Sequence, residues 1–404
     1  MNDAQWLLPV GIEEALPEQA QRLEQLRRAL LDLYASWGYE LVVTPFIDYL
    51  DSLLTGTGHD LDLQTFKLTD QLSGRLLGIR ADMTPQVARM DAHQLKRNAP
   101  TRLCYLGTVL HTRSDGFAGT RSPMQIGAEL FGHAGAESDV EILRLLLLTL
   151  AAAGIESPYL DLGHVGIYRA LAQQAKLTRA QEMTLFDVLQ RKAAAELTAL
   201  ILDEWQLTSP IADMLLGLIE LNGDDALERA ELLFAPAQDA VQVALDNLRQ
   251  VANQLHAWLP QVPVHFDLAE LRGYTYKTGV VFAAFVPGWG LEIARGGRYD
   301  DIGKVFGHAR PAVGFSSDLK GLMALANQPP PPPRTGILAP WRPDAALQIV
   351  IDQLRAAGQR VIHWLPGQVN EVAALGCHQQ LIYRNGAWQL AELTCDQALH
   401  FFIE

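Results

Sequence analysis

An α+β fold, in which an antiparallel β-sheet is flanked by helices, is the architecture this sequence predicts, and three observations lead to it. Strand-like segments follow one another through short turns rather than long helical crossovers, which favours antiparallel pairing. Between about residues 166 and 260 the pattern changes to helix after helix, so a helical insertion interrupts the β-rich region. After the proline run QPPPPP (328–333), which favours extended polyproline II, a short tail alternates strand-like and helix-like segments. The expected organisation is a main domain over residues 1–327, a proline-rich linker over 328–334 and a small α/β module over 335–404.

Pro17 followed by Leu23, Leu26, Leu30, Leu33, Tyr34 and Trp37 gives apolar residues at helical spacing, with Gly38 placed to end the helix. YELVVTPF (39–46) reads as a buried strand ended by Pro45. Further strand candidates are QTFKLTD (64–70), RLLGIR (75–80), TRLCYLGTVLHTR (101–113), PMQIGAELFG (123–132), YLDLGHV (159–165), TYKTGVVFAAFV (275–286) and GLEIAR (290–295). The most apolar run, ILRLLLLTLAAAG (142–154), is shorter than the roughly 20 residues of a membrane span and carries Arg144, so it reads as a buried helix. In the tail, GILAP, RVIHWL, QQLIYR and WQLAEL read as strands and AALQIVIDQLRAAG as a helix.

The 404 residues, 49% hydrophobic and 19% charged, have the composition of a globular protein with a large core. A formal net charge of −14 argues against gripping a phosphate backbone, which needs clustered Lys and Arg. The tail is itself acidic, with four Arg, no Lys and six Asp or Glu over residues 335–404, so no tRNA partner is expected. Three scattered cysteines (Cys104, Cys377, Cys395) suit a reducing cytoplasm and indicate neither a disulfide framework nor a metal site. The start, MNDAQWLLPVG, lacks the pattern of a secretory signal. No cofactor is indicated.

Four stretches carry chemistry. In IRADMTPQVARM (79–90), Thr84-Pro85 reads as a helix start, with the Thr84 hydroxyl as cap and Asp82 complementing the helix dipole. The functional reading has both residues facing a ligand's ammonium group. In MQIGAELF, alternation puts Gln125, Gly127 and Glu129 on one face and Ile126, Ala128 and Leu130 on the other. Buried polar groups need partners, so the polar face reads as the floor of a pocket, with Gly127 letting a ligand approach the backbone. A structural salt bridge from Glu129 to Arg80 or Arg272 is the alternative. In ELRGYTYKTGVVF (270–282), Arg272 is a candidate carboxylate partner and Tyr276 a candidate ring contact. In ARGGRYDDIG (294–303), the glycine pair reads as a tight turn beside Arg298 and Asp300, which bond locally.

In order along residues 5 to about 325, these segments resemble the catalytic domain of histidyl-tRNA synthetase, a class II aminoacyl-tRNA synthetase. The matching phrases are WGYELVVTPF (the family's dimer-forming first motif), IRADMTPQVAR, QIGAELFG, RGYTYKTGVVF (its histidine segment), ARGGRYD and VGFSSDLKGLM. The resemblance implies the class II catalytic-domain fold and a homodimer formed through the first motif. It also exposes departures. Where the second motif of the synthetases has an Arg, one residue, then a Glu, holding ATP and the activated carboxyl, this chain has His111 and Arg113. Where the third motif ends in a Glu-Arg pair whose Arg clamps the γ-phosphate, this chain has Lys320-Gly321. Amino-acid activation depends on positioning and cationic stabilisation, and each missing group of that kind typically costs about 10²- to 10³-fold. Aminoacylation is therefore expected to be lost.

That pattern, with the phrases LLPVGIEEALP, RADMTPQVARMDA and LRGYTYKTGVVFAAF, resembles the regulatory subunits of ATP phosphoribosyltransferase, synthetase paralogues that accompany the short catalytic subunit in the first step of histidine biosynthesis. The resemblance implies free histidine as ligand, with Asp82, Thr84 and Gln125 toward its ammonium, Arg272 toward its carboxylate, and Glu129 with Tyr276 toward its imidazole. It implies the short catalytic subunit as partner. The histidine segment of the synthetases has two adjacent tyrosines where this chain has Tyr276-Lys277, which implies a remodelled imidazole contact. A divergent but active histidyl-tRNA synthetase is the alternative function; it requires a basic tRNA surface, which the charge balance opposes.

Overall fold

The computed structural model describes residues 6–55, 59–114, 119–271, 273–274, 276–326, 335–368 and 375–393. Arg272 and the proline-rich segment 328–334 lie outside the described residues. The chain forms two compact units, Met1–Gln328 and Pro329–Glu404.

The strands of the first unit, in chain order, are β1 (Glu40–Leu41), β2 (Ile47–Tyr49), β3 (Phe66–Thr69), β4 (Leu76–Ile79), β5 (Thr101–Thr108), β6 (Met124–Phe131), β7 (Tyr159–His164), β8 (Asn222–Gly223), β9 (Val264–Asp267), β10 (Val280–Phe285), β11 (Ala294–Arg298) and β12 (Ala312–Asp318). Nine of them form one sheet in the order β1-β5-β6-β12-β11-β10-β7-β9-β8, and β2-β4-β3 form a small separate sheet. From β5 across to β7 every pairing is antiparallel; the pairs β1/β5 and β7/β9 near the edges are parallel. The expected antiparallel sheet with helices packed on it is thus what the chain builds.

The helix Pro17–Ser36 buries Leu23, Leu30 and Tyr34, and Gly38 follows it with φ +80°, the left-handed conformation that ends helices. The apolar run 142–154 forms the second part of the helix Ala136–Ala152 and the turn after it, and Ile142, Leu143, Leu145, Leu146 and Leu150 fill the main core against the even face of β6. Arg144 leaves that core between the rings of Trp37 and Trp258, at 5.3 and 4.0 Å. No helix among the described residues is long and apolar enough to cross a membrane. Residues 165–258 are mainly helical, from Val165–Gln174 to the long Asp239–Trp258, which packs on Ala136–Ala152.

Three expectations are corrected. The segment 39–46 is not a buried strand: only Glu40–Leu41 pair, at the sheet edge, and Leu41, Val43, Phe46 and the following Ile47 are exposed. The strand foreseen at 290–295 begins only at Ala294 and runs through Gly296 and Gly297 to Arg298. The glycine pair is therefore mid-strand, where a Cβ on Gly296 would stand 2.2 Å from the Gly314 carbonyl and 2.4 Å from the Phe282 ring. Arg298 bonds Asp300 (3.2 Å), but it also reaches Asp139 at the start of the helix Ala136–Ala152, at 2.8 Å, so it ties strand to helix. Strands β2, β8, β9 and β12 were not among the candidates.

In the second unit, β13 (Gly336–Pro340), β14 (Arg360–Trp364), β15 (Cys377–Arg384) and β16 (Ala387–Glu392) form a sheet in the order β14-β13-β15-β16, with β13 parallel to both neighbours. The helix Ala345–Ala356, capped by the Asp344 carboxylate, packs Leu347 and Ile351 against Ile337, Val361 and Leu381. Asn385 and Gly386, both at positive φ, close the β15/β16 hairpin.

Candidate functional site

Two pieces distant in sequence meet to make the site: the odd-numbered face of β6 and the segment Ala81–Arg89. Alternation along β6 sends Ile126, Ala128 and Leu130 into the main core and leaves Gln125, Gly127 and Glu129 on the opposite face, beneath the helix Thr84–Arg89. Pro85 sits in the first turn of that helix, where its missing N–H leaves no bond unmade. The cap differs from expectation. The Thr84 hydroxyl points into the site instead of back to the helix, and it is the Asp82 carboxylate that accepts the Thr84 N–H, at 3.0 Å.

Gln125 staples the two pieces together. Its carbonyl oxygen accepts the Met83 N–H (2.9 Å) and its amide donates to Asp82 Oδ1 (2.7 Å). Asp82 Oδ2 accepts no hydrogen bond among the described residues, and Asp82 is half-buried. It is an open acceptor suited to a cationic group.

Glu129 is 1% exposed and meets three hydroxyls: Tyr105 and Thr84 at Oε1, at 2.9 and 3.1 Å, and Tyr299 at Oε2. Thr84 Oγ1 and the Tyr105 hydroxyl also lie 3.0 Å apart, closing a triangle of three oxygen contacts. Two hydroxyl protons cannot fill three contacts, whereas a protonated Glu129 supplies the third. The same direction follows from solvation, since burial pushes the Glu129 carboxyl up to about 8, against the pull of the Tyr299, Tyr105 and Thr84 hydroxyls. Burial and the neighbouring Glu129 carboxylate likewise raise the Tyr105 and Tyr299 phenols well above their ordinary value, so both remain donors. The carboxylate of Glu129 is wedged in place: a Cβ on Gly314 would stand 1.5 Å from its Oε2.

Gly127 serves another purpose than the one expected. A Cβ there would lie 2.4 Å from the Tyr105 hydroxyl and 2.6 Å from the Phe315 carbonyl, so the space is filled by Tyr105 and not kept for a ligand. The alternative pairing of Glu129 with Arg80 is not formed, because Arg80 donates to Thr44 and to the Thr108 carbonyl. Tyr276 packs on the cluster that holds Met83, Tyr105 and Tyr299. Lys277 is buried and donates to the Gly296 carbonyl at 2.7 Å, back into the sheet. Arg272 lies outside the described residues. Tyr105 and Tyr299 were not singled out from sequence; Tyr299 stood inside ARGGRYD, but only the β11/β12 pairing carries it to Glu129.

The four divergent positions are engaged differently. His111 is buried with Nε2 2.9 Å from the Ala81 carbonyl. Arg113 is exposed and lies beyond the end of β5, five residues short of the strand end foreseen at 113, so it does not share a strand face with His111. Lys320 bonds Glu13 (3.2 Å) and Ser122 (3.4 Å). Gly321 lies in the first turn of the helix Leu319–Leu325, its N–H accepted by Asp318 at 3.3 Å. An N-terminal strap lies against Arg121, which donates its N–H to Gly11 O (2.7 Å) and a guanidinium N–H to Val10 O (3.2 Å). Among the described residues no three His, Cys, Asp or Glu side chains gather as a metal-binding group.

Residues 11–322 match the family model described as histidyl-tRNA synthetase, and residues 334–391 match that of the ATP phosphoribosyltransferase subunit HisZ C-terminal domain. The ATP phosphoribosyltransferase regulatory subunit of Thioalkalivibrio sulfidiphilus is 60% identical over 383 residues, covering 94% of this chain and 97% of that relative. The protein of the same name from Alkalilimnicola ehrlichii is 58% identical over 387 residues, covering 95% and 96%. A Bacillus halodurans crystal structure, described as an ATP phosphoribosyltransferase regulatory subunit/histidyl-tRNA synthetase, superposes with a TM-score of 0.79 at 28% identity over 92% of this chain and 95% of that one. The histidyl-tRNA synthetase of Nostoc shares the fold, with a TM-score of 0.74 at 19% identity over 98% of each chain. With near-full-length identity to the first two relatives and a tail matching a domain of the same complex, the chain belongs to the family of ATP phosphoribosyltransferase regulatory subunits, built on the class II histidyl-tRNA synthetase fold.

Proposed function

We infer that this chain is the non-catalytic regulatory subunit of an ATP phosphoribosyltransferase. It is required for activity of the short catalytic subunit and carries the feedback signal of histidine to the first step of histidine biosynthesis. The observation that carries the ligand assignment is the contrast between two sets of positions. Asp82, Thr84, Gln125 and Glu129 form one bonded polar cluster, while the positions a synthetase needs for ATP hold a histidine tied to main chain, a surface arginine, and a lysine paired with Glu13. This supports free histidine as ligand, its imidazole toward Glu129 and Tyr276, its ammonium toward Asp82, and its carboxylate toward Arg272. Feedback then requires histidine to bind two states of the complex unequally, a coupling of roughly 1–3 kcal/mol in ordinary allostery.

The exposed apolar residues Leu41, Val43, Phe46 and Ile47 support a homodimer through the first class II motif, since clustered exposed apolar side chains are what an interface buries. The net charge of −14 supports a subunit that binds no tRNA, and a biosynthetic complex of this kind belongs in the cytoplasm. The test is a paired assay: purified chain is added to a short-form phosphoribosyltransferase, with and without histidine, and is separately assayed for histidine-dependent ATP–pyrophosphate exchange. Stimulation that histidine reverses is expected. Exchange at synthetase-like rates without stimulation would establish the synthetase alternative instead.

A further inference from the structure

Strand register places one arginine on the site face that neither the sequence motifs nor the family assignment gives a role. In antiparallel pairs, directly opposed residues share a face of the sheet. Following the pairs from Gly127 leads to Ser316 on β12 and then to Arg295 on β11. The adjacent row runs from Glu129 through Gly314 to Gly297. Arg295 therefore stands on the same face as Gln125 and Glu129, one row nearer the opening than Glu129.

Burial along this face shows which end opens. Glu129, Gly314 and Gly297 are buried, Gln125 and Ser316 are half-buried, and the Arg295 side chain is 53% exposed. The floor is thus at Glu129 and the mouth is at the row of Ser316 and Arg295. An α-amino acid that sends its side chain to the floor leaves its ammonium and its carboxylate at the mouth. Asp82 Oδ2, open to a donor, is there for the first; a guanidinium fork is the matching group for the second. Neighbouring strands lie about 4.8 Å apart, so the Arg295 backbone is about 10 Å from Gly127, a gap that an arginine side chain and a bound amino acid span together.

We propose that Arg295 is a binding residue of this site, receiving the α-carboxylate of the bound amino acid opposite the ammonium held by Asp82. The proposal rests on the reading that the site holds free histidine, and it adds a second cation to Arg272 on the carboxylate side. Arg295 pairs with Glu292 at 2.8 Å three residues away, but its own side chain is half exposed, so its guanidinium keeps donors that a ligand carboxylate can engage. Its charge already reaches the site, since it opposes the rise that burial imposes on the Tyr276 phenol.

The test compares histidine with histidinamide, which keeps the ring and ammonium but has no carboxylate, by calorimetric titration. The full-length chain is used, alone and assembled with its short catalytic partner. In Arg295→Gln, histidine affinity is expected to fall about ten- to thirtyfold while histidinamide affinity stays at the wild-type value; Arg295→Lys recovers part of the loss. Equal weakening of both ligands, or no weakening of either, overturns the role of Arg295 and leaves the histidine reading standing. Absence of histidine binding to the wild type, alone and in the complex, overturns both.

Discussion

Replacing Glu129 by glutamine is expected to remove a pH dependence of stability that the wild-type chain carries. Burial raises the Glu129 carboxyl from an ordinary 4.5 to about 8. The folded state therefore holds a proton there that the unfolded state gives up, and stability falls as pH climbs from the unfolded value to the folded one. The loss accumulates at ~1.4 kcal/mol per pH unit, to about 5 kcal/mol once pH exceeds 8. Below pH 4.5 both states are protonated and the contribution is fully present; above 8 it is gone. Glutamine has nearly the same shape, can set its amide at the Oε1 position to supply the third proton of the triangle with Tyr105 and Thr84 while its oxygen accepts from Tyr299, and does not titrate. Urea unfolding of the two proteins from about pH 5 to about pH 9 should give curves that coincide at the acid end and diverge by several kcal/mol at the alkaline end, with Glu129→Gln the more stable. A difference that stays constant across the range would refute the buried, proton-holding carboxyl.

Two further outcomes follow from the same geometry. If the histidine complex keeps one proton between the imidazole and Glu129, affinity peaks between about pH 6.5, the ordinary imidazole value, and about 8, falling up to tenfold per pH unit outside. Titrations in buffers of different ionisation heat should read proton release on the acid limb and uptake on the alkaline limb, and Glu129→Gln should lose the alkaline limb; a pH-independent affinity contradicts the shared proton. Gly127→Ala should destabilise by about 1–3 kcal/mol or more, because the new Cβ meets the Phe315 carbonyl as well as Tyr105 and backbone cannot yield without parting β6 from β12. Gly321→Ala is the control: its Cβ would stand 3.6 Å from the nearest atom of Asp318, an ordinary contact, and thermal melting should show a change within about 0.5 kcal/mol or a slight gain.

Much of this arrangement was legible in the sequence where period and chemistry agreed. The helix Pro17–Ser36 announced itself by apolar spacing and a terminal glycine, and β6 by its alternation. The segment 39–46 misled because an apolar run reads alike whether it faces a core or an interface; only its place at the sheet edge shows that Leu41 and Val43 point outward. Gly296 and Gly297 misled because glycine serves a close approach as readily as a turn, and the Phe282 ring that needs the space is fourteen residues away. The walls of the site were least visible. Tyr105 and Tyr299 reach Glu129 only through the pairing of β5, β6, β12 and β11, and pairing is a long-range property that local pattern does not carry.

Because β6 is walled in on both sides, its eight residues answer to two unlike regimes of selection. Even positions face hydrocarbon, so descendants can exchange one aliphatic for another there with small adjustments in the helix Ala136–Ala152. Gln125, Gly127 and Glu129 face polar atoms and closely fitted glycines instead, so a change at Glu129 has to be matched at Gly314, Tyr105 or Tyr299. Divergence along this strand should advance in steps of two, and a new ligand preference would arise by paired substitutions rather than single ones.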